Sequence, residues 1–327
     1  MTSADAVLVV GAGISGLACA HALRSAGVPV RVVERGRVPG GRMASRRLEG
    51  RPVDLGAAFF TADLATGFGA VVQGWLDRGV ARPWTDTFSV SDDGRPLTAK
   101  SGPMRYAAPA GLRALTTELA EGLDIEFEHA VDAVSTDGAA GGQHGQTGAL
   151  GAGITVLAMP DPQARRLLPP GSAPAAALDG GVGWAPTIAV ALGWDRQVWP
   201  RDIHGVFVNG SPTLTFVADD GDRRGDGAPV LVAHSTPELA GRHLSEPDAA
   251  IGPITEAVRA LLDIGVAPSW SYAHRWTFAR TLAGHPEPYL LHDGIGICGD
   301  GWGGTSSVGT AWASGDALGQ AIAATRG

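Results

Sequence analysis

VLVVGAGISGLACAHALRSAGVPVRVVE, residues 7–34, is the stretch whose reading decides the fold. Four apolar residues, 7–10, run straight into glycine, the pattern of a parallel strand buried on both faces. An Ala/Leu-rich segment over 15–26, closed by Gly27, predicts a helix, and 28–34 predicts a second strand. Strand, helix and strand in this order make a βαβ unit.

Within it Gly11, Gly13 and Gly16 spell G-x-G-x-x-G, but 48 glycines in 327 residues produce that spelling about once by chance. Gly294, Gly296 and Gly299 spell it again, as do Gly299, Gly301 and Gly304, without the strand before and the helix after in the right places. At the first match each part has a physical task. Gly11 makes the tight turn, Gly13 lets backbone approach a pyrophosphate, and Gly16 lets helix meet strand, while the first helical amides at Ile14 and Ser15 face an anionic oxygen. Glu34 ends the second strand, where a carboxylate accepts from both hydroxyls of a ribose and repels a 2′-phosphate. The competing reading is a structural βαβ unit that holds nothing.

Working outward, 64–78 predicts a helix, 88–90 a short strand broken by Asp92-Asp93-Gly94, and 109–122 a helix opened by Pro109 with Leu112, Leu115 and Leu119 at helical spacing. Two short strands are expected in 125–135, and a flexible Gly/Ala/Gln/His loop over 138–153. A buried strand at 154–158 and a helix at 161–168 follow. Strands at 187–194, 205–209, 214–218 and 230–235 and a helix at 247–262 have the texture of an antiparallel sheet. The end returns to the opening texture, with an apolar strand at 294–298, a glycine-rich loop at 299–308 and a terminal helix from about 309.

The chain is 44% hydrophobic and 18% charged with a formal net charge of -8, which suits a globular protein and offers no basic surface to nucleic acid. Lys100 is the one lysine, so arginine must carry anion recognition and an amine nucleophile has almost no candidates. Cys19 and Cys298 are expected to be buried and unpaired, which with an N-terminus lacking a basic signal region reads as cytoplasmic. No segment has eighteen uninterrupted apolar residues, so no membrane span is expected, and His274, His285 and His292 have no metal-ligand spacing with Cys or acid partners, so no metal is expected.

After Arg35 come Gly40-Gly41-Arg42-Met43-Ala44-Ser45 and then Asp54-Leu55-Gly56-Ala57-Ala58-Phe59-Phe60-Thr61-Ala62. With the βαβ unit, Ala273-His274-Arg275-Trp276 and Ile297-Cys298-Gly299-Asp300, these stretches resemble the FAD-dependent amine oxidase superfamily, and within it the bacterial renalase-type oxidoreductases. The resemblance spans nearly the whole chain and is weakest at 138–153 and 195–229. It implies a doubly wound Rossmann-type FAD-binding domain (α/β, α+β overall) from 1–62, 106–168 and 290–327, with a second antiparallel-sheet substrate domain from 63–105 and 169–289.

The resemblance also assigns residues. Gly11, Gly13, Ile14, Ser15, Gly16, Glu34, Arg35, Gly41, Arg42, Met43, Gly56, Ala57, Val131, Gly299, Asp300 and Val308 would bind FAD. In that set Arg42 lies beside the pyrophosphate, the backbone of Val131 meets adenine, Asp300 anchors the ribityl region, and the helix from Val308 points its positive end at the flavin. No cysteine stands in 301–308, so FAD is expected to be non-covalent. His234 is the expected polar contact to a small-molecule substrate, and Phe59, Trp276 and Trp302 are expected to line its pocket.

The implied activity is hydride transfer from a dihydropyridine nucleotide, an isomer of NAD(P)H, to flavin, with O2 as the electron acceptor giving H2O2. Two departures bear on the substrate. Ala58-Phe59 stands where renalase-like chains carry Gln-Tyr, and Gly301 is inserted before Trp302. An amine oxidase or desaturase of a specialised metabolite is the second reading, and a non-catalytic FAD-binding protein the third. Oligomeric state is not readable from the sequence.

Overall fold

The computed structural model describes residues 6–135, 140–142, 153–179 and 183–326. Two compact units divide the chain, one from residues 1–42, 116–184 and 280–327, the other from residues 43–115 and 185–279.

The first unit is built on a six-stranded sheet in the order Leu290–His292, Ile295–Cys298, Thr155–Ala158, Val7–Val10, Val30–Val33, Ile125–Glu126. All pairings are parallel except that of the edge strand Leu290–His292. Both faces are covered, which is why these strands read as continuous apolar runs. Val7, Val9, Val32 and Val156 pack with Leu17, Leu23, Leu318 and Ile322, while Leu8, Val10, Val33, Leu157 and Ile297 pack with Ala164, Leu168, Leu178 and Trp302. Each fully buried aliphatic side chain contributes about 1.5–3 kcal/mol.

Helices Ile14–Ser25 and Val308–Ala324 meet through small residues. A Cβ on Gly315 would stand 1.9 Å from the Ser15 carbonyl oxygen, and one on Gly319 2.6 Å from that of Cys19. Gly16 is closed in the same way, its notional Cβ lying 2.0 Å from the Gly11 oxygen. The first and last helices of the unit therefore touch backbone to backbone.

The second unit carries a seven-stranded sheet in the order Trp270–Thr281, Trp184–Gly193, Val230–Ser235, Leu214–Asp219, Gly205–Asn209, Arg82–Asp92, Thr98–Ala107. It departs from the expected antiparallel sheet where Gly205–Asn209 runs parallel to Arg82–Asp92, with Val206 opposite Ser89. No tight turn links those two strands, so nothing enforces an antiparallel approach. One face packs Ile188, Val190, Leu192, Leu231 and Ala233 against Ile254 and Val258 of helix Ile251–Leu261. The opposite face, with Ala189, Ala191, Val230 and Val232, packs on Val53 and Leu55.

Several local expectations change. The short strand at 88–90 is part of a long pair, Arg82–Asp92 with Thr98–Ala107, and the helix expected from Pro109 is Arg113–Ala120. Hairpin Ser45–Leu48 with Arg51–Asp54, strand Trp270–Thr281 and helices Ala173–Leu178, Asp220–Arg224 and Pro237–Arg242 are additions. Most of the loop expected at 138–153 lies outside the described residues, but Ala140–Gly142 is a strand on Val131–Val134. Among the described residues no helix is long and apolar enough to cross a membrane, and no group of three or more His, Cys, Asp or Glu could hold a metal ion.

Candidate cofactor and substrate site

In the first unit the glycine turn sits at the carboxyl ends of the parallel strands, where open α/β sheets bind ligands. Gly11 has φ of +112°, and a Cβ there would stand 2.7 Å from the Ala158 oxygen. Gly13 caps helix Ile14–Ser25 with no side-chain hydrogen bond and no acidic residue in the first turn. Its amides at Ile14 and Ser15 thus keep their capacity for an anionic acceptor. A Cβ on Gly13 would meet only Gly41 Cα, at 4.0 Å, so the cradle is formed by glycine on both sides.

Glu34 pins this loop. Its Oε2 accepts from the Ala12 N–H at 2.9 Å and its Oε1 from the Gly36 N–H at 2.7 Å. A carboxylate has about four lone-pair sites, so two directions remain for hydroxyls. Arg35 is exposed beside it, and Val131 is half-buried on its strand.

Arg42 and Asp300 are brought together. Arg42 Nη1 donates to Asp300 Oδ2 at 2.9 Å, and Nη2 donates to Oδ1. The guanidinium also lies over the Trp184 ring, 5.2 Å from its centroid. Asp300 is 5% exposed and receives the Ser306 hydroxyl as well. Gly299 donates its N–H to Ser314 Oγ at 3.1 Å, which ties the loop to helix Val308–Ala324. Ser307 caps that helix by accepting from the Thr310 N–H, leaving the amides of Val308 and Gly309 as the free positive end. Cys19 and Cys298 are free and buried, and burial pushes the Cys298 thiol up to about 12, so neither is a nucleophile. An uncapped helix start, a double-glycine cradle, an acidic strand end and a fixed guanidinium fit a dinucleotide.

Trp302 belongs to this unit. It is 3% exposed, packs under the sheet, and donates its indole N–H to Asp161 Oδ1 at 3.1 Å.

In the second unit Met43 is buried, Gly56 and Ala57 are half-buried, and Asp54 is locked in an ionic cluster. Asp54 Oδ1 accepts from Ser45 Oγ and from the Leu112 N–H at 3.1 Å, and its Oδ2 lies 3.0 Å from Arg224 Nη2. Asp220 pairs with Arg223, Arg224 and Arg51. Burial alone would raise the Asp220 carboxyl, but the three guanidiniums hold it below the usual range. This cluster is a structural pin.

Phe59 stands at the centre of an aromatic wall. Its centroid is 5.3 Å from Phe88, 5.9 Å from Phe216 and 6.4 Å from Trp84, and Arg105 lies over the Phe88 ring at 4.0 Å. His234 adjoins this wall, 6.2 Å from the Phe216 centroid. Burial, and then the charge of Arg223, pulls His234 down to about 4, so the ring is neutral near pH 7. Its Nε2 is buried without a hydrogen-bond partner. Trp276 donates its N–H to the Leu55 carbonyl at 2.7 Å, which fixes the indole beside the 54–57 segment.

The structure thus joins Arg42 to Asp300 and Phe59 to His234 through Phe216. Asp161, His285, Trp84 and Arg105 were not singled out from sequence. Asp161 had one local signal, an acid between two prolines directly after a buried strand; the others had none.

Residues 9–68 match a family described as NAD(P)-binding Rossmann-like domain, and residues 80–318 match flavin containing amine oxidoreductase. The hydroxyneurosporene desaturase of Rubrivivax gelatinosus is 46% identical over 55 residues, 17% of this chain and 10% of that protein. Protein FLOWERING LOCUS D of Arabidopsis thaliana is 37% identical over 76 residues, 22% of this chain and 10% of that protein. The aligned stretches therefore cover about a tenth of those relatives. A structure described as a protoporphyrinogen oxidase, from Exiguobacterium sp. 255-15, superposes with a TM-score of 0.80 at 16% identity, over 99% of this chain and 100% of that one. Putrescine oxidase bound to putrescine gives 0.71 at 14% identity, over 98% of each chain. At such identities the likeness is one of fold.

Proposed function

Because the chain belongs to the family of flavin-containing amine oxidoreductases and is an FAD-dependent oxidoreductase, we propose that it oxidises a dihydropyridine nucleotide, an isomer of NAD(P)H, at non-covalently held FAD. The donor loses a hydride and becomes aromatic, and O2, that hydride and one proton end as H2O2. Bound FAD supplies the hydride acceptor, which O2 restores.

The observation that carries the cofactor half is the cradle of Gly13 and Gly41 over an uncapped helix start, with Arg42 fixed by Asp300 beside it. Glu34 would receive the ribose, Ile14 and Ser15 the pyrophosphate through their amides, and the amides of Val308 and Gly309 would place positive potential where negative charge accumulates. Arg35, Met43, Gly56, Ala57, Val131 and Gly299 complete the proposed contact set. The lack of cysteine in 301–308 supports non-covalent attachment, and the two buried thiols support a cytoplasmic location.

For the donor, the chain's own residues have binding and orientation to do, since hydride transfer needs no protein base. Phe59 offers a flat apolar face, Trp276 is held in place through Leu55, and neutral His234 is a polar contact that adds no charge. The ring-rich surroundings of Phe59 favour a second reading, an amine or other apolar metabolite as donor.

Anaerobic titration of the FAD-loaded protein decides between them. Loss of flavin absorbance on adding NAD(P)H isomers supports the first reading. Loss only with amines or other organics replaces it with the second.

A further inference from the structure

Three residues from two segments of the first unit, 116–184 and 280–327, close on one another. Asp161 is the first residue of helix Asp161–Leu167, just past the carboxyl end of strand Thr155–Ala158, and is 5% exposed. Its Oδ1 accepts from Trp302 Nε1 at 3.1 Å, and its Oδ2 lies 2.9 Å from His285 Nε2. The His285 and Trp302 rings stack, with centroids 3.9 Å apart and planes 15° from parallel.

The main chain repeats the tie. The His285 N–H donates to the Gly301 carbonyl at 2.7 Å, and the His285 carbonyl accepts from the N–H groups of Gly303 and Gly304 at 3.0 and 3.1 Å. Gly303 and Gly304 have φ of +91° and +106°, conformations that glycine alone adopts readily. A stretch reading Gly-Trp-Gly-Gly-Thr-Ser-Ser has little of its own to hold it still. Here it is clamped to the strand-end side of the sheet, with Asp300 on one side of the clamp and Ser306 and Ser307 on the other. A buried carboxylate between two aromatic donors is an expensive way to fill space, since burying a charge costs more than packing an apolar side chain.

We propose that Asp161, His285 and Trp302 are positioning residues for the cofactor: they hold loop 301–304 so that Asp300 and the start of helix Val308–Ala324 are set before FAD arrives. The inference rests on the reading that this unit binds FAD. A loop ordered in advance does not draw its ordering entropy from the binding affinity.

The test uses the full chain freed of flavin, with FAD affinity read by quenching of flavin fluorescence and folding read by the Tm of the unliganded protein. Trp302→Phe and His285→Phe each keep the ring stack and remove one donor to Asp161. Each is expected to weaken FAD binding about tenfold, the equivalent of one charge-assisted hydrogen bond, with little change in unliganded Tm. The double variant is expected to lose much less than the product of the two, because both donors act through one carboxylate. If Trp302→Phe does not fold, half-buried His285 carries the test with Asp161→Asn.

Variants that bind FAD as tightly as wild type overturn this inference alone, as do losses that multiply in the double variant or that follow the fall in Tm. A folded wild-type chain that takes up no FAD overturns the cofactor reading, and this inference with it.

Discussion

Arg42 and Asp300, 258 residues apart in sequence, meet in a two-point ion pair within the first unit. The Arg42 side chain is 26% exposed and that of Asp300 7%, so the acid sits deeper than its partner. A guanidinium fixed this way has lost its freedom before any ligand is present, and its remaining N–H groups point in set directions. Arg42→Ala leaves a mostly buried carboxylate without its cation, and Asp300→Asn removes the charge and one of the two acceptor oxygens that hold the guanidinium. Each should lower the FAD bound per purified chain, with affinity weakened on the order of tenfold. The ratio of flavin to protein absorbance after gel filtration reads this directly, and an unchanged ratio in both variants removes the pair from the cofactor site.

Asp220 is fully buried and faces Arg223, Arg224 and Arg51. Asp220→Ala leaves the two buried guanidiniums of Arg223 and Arg224 to share the carboxylate of Asp54 and a few main-chain carbonyls, at a cost of about 3–5 kcal/mol. Urea denaturation should show the unfolding free energy fall by that amount; a loss below about 1 kcal/mol would mean that water reaches the cluster.

Two buried groups give the stability an unusual pH profile. His234 has its folded value near 4, below its ordinary 6.5, so between those limits the unfolded chain takes a proton that the folded chain refuses. That contribution is complete above the unfolded value and is lost as pH falls. Asp219, which accepts from Trp199 Nε1 and the Asp222 N–H, is pushed by burial from 3.8 to about 6. Its contribution has the opposite sign, present at low pH and lost as pH rises through about 6. Each is worth up to about 3 kcal/mol, so they offset each other between about pH 4 and 6. Tm measured across pH 4–7 should therefore rise more steeply with pH in Asp219→Asn than in wild type, and less steeply in His234→Gln. Parallel curves for all three proteins would show that neither group is shifted.

The seam between helices Ile14–Ser25 and Val308–Ala324 predicts a sharp contrast among glycines. Gly315→Ala forces a methyl against the Ser15 carbonyl and should cost about 1–3 kcal/mol. Gly252→Ala, in a helix where the added carbon meets nothing within 4 Å, should stabilise by up to about 1 kcal/mol. Thermal melts of the two variants check both signs.

How much of this was readable from sequence follows from which forces are local. Val7–Val10 and Ile295–Cys298 are buried on both faces, so their apolar runs declare them, and the glycines at 11, 13 and 16 announce a turn whose constraints are steric and nearby. Strand Trp270–Thr281 is not legible because it is an edge strand whose residues are mostly half-exposed, which leaves no clean alternation. Arg82–Asp92 hides among Thr, Ser and Asp for a similar reason. The link from Asp161 to His285 spans 124 residues, and no local pattern marks either end. Glu34 was readable as an acid at a strand end, but its grip on the Ala12 and Gly36 amides is visible only in three dimensions.

The first unit's sheet is sewn from stretches that leave the ribosome far apart in time. At about 5–20 residues per second, Val7–Val10 is synthesised on the order of 15–60 s before Ile295–Cys298, and Thr155–Ala158 falls midway. Through that interval Leu8, Val10 and Leu17 lack the later-made partners Leu157, Ile297 and Leu318 that complete their core. The acid that fixes Arg42 is made 258 residues after its partner, so this ion pair cannot close until that later stretch has been synthesised.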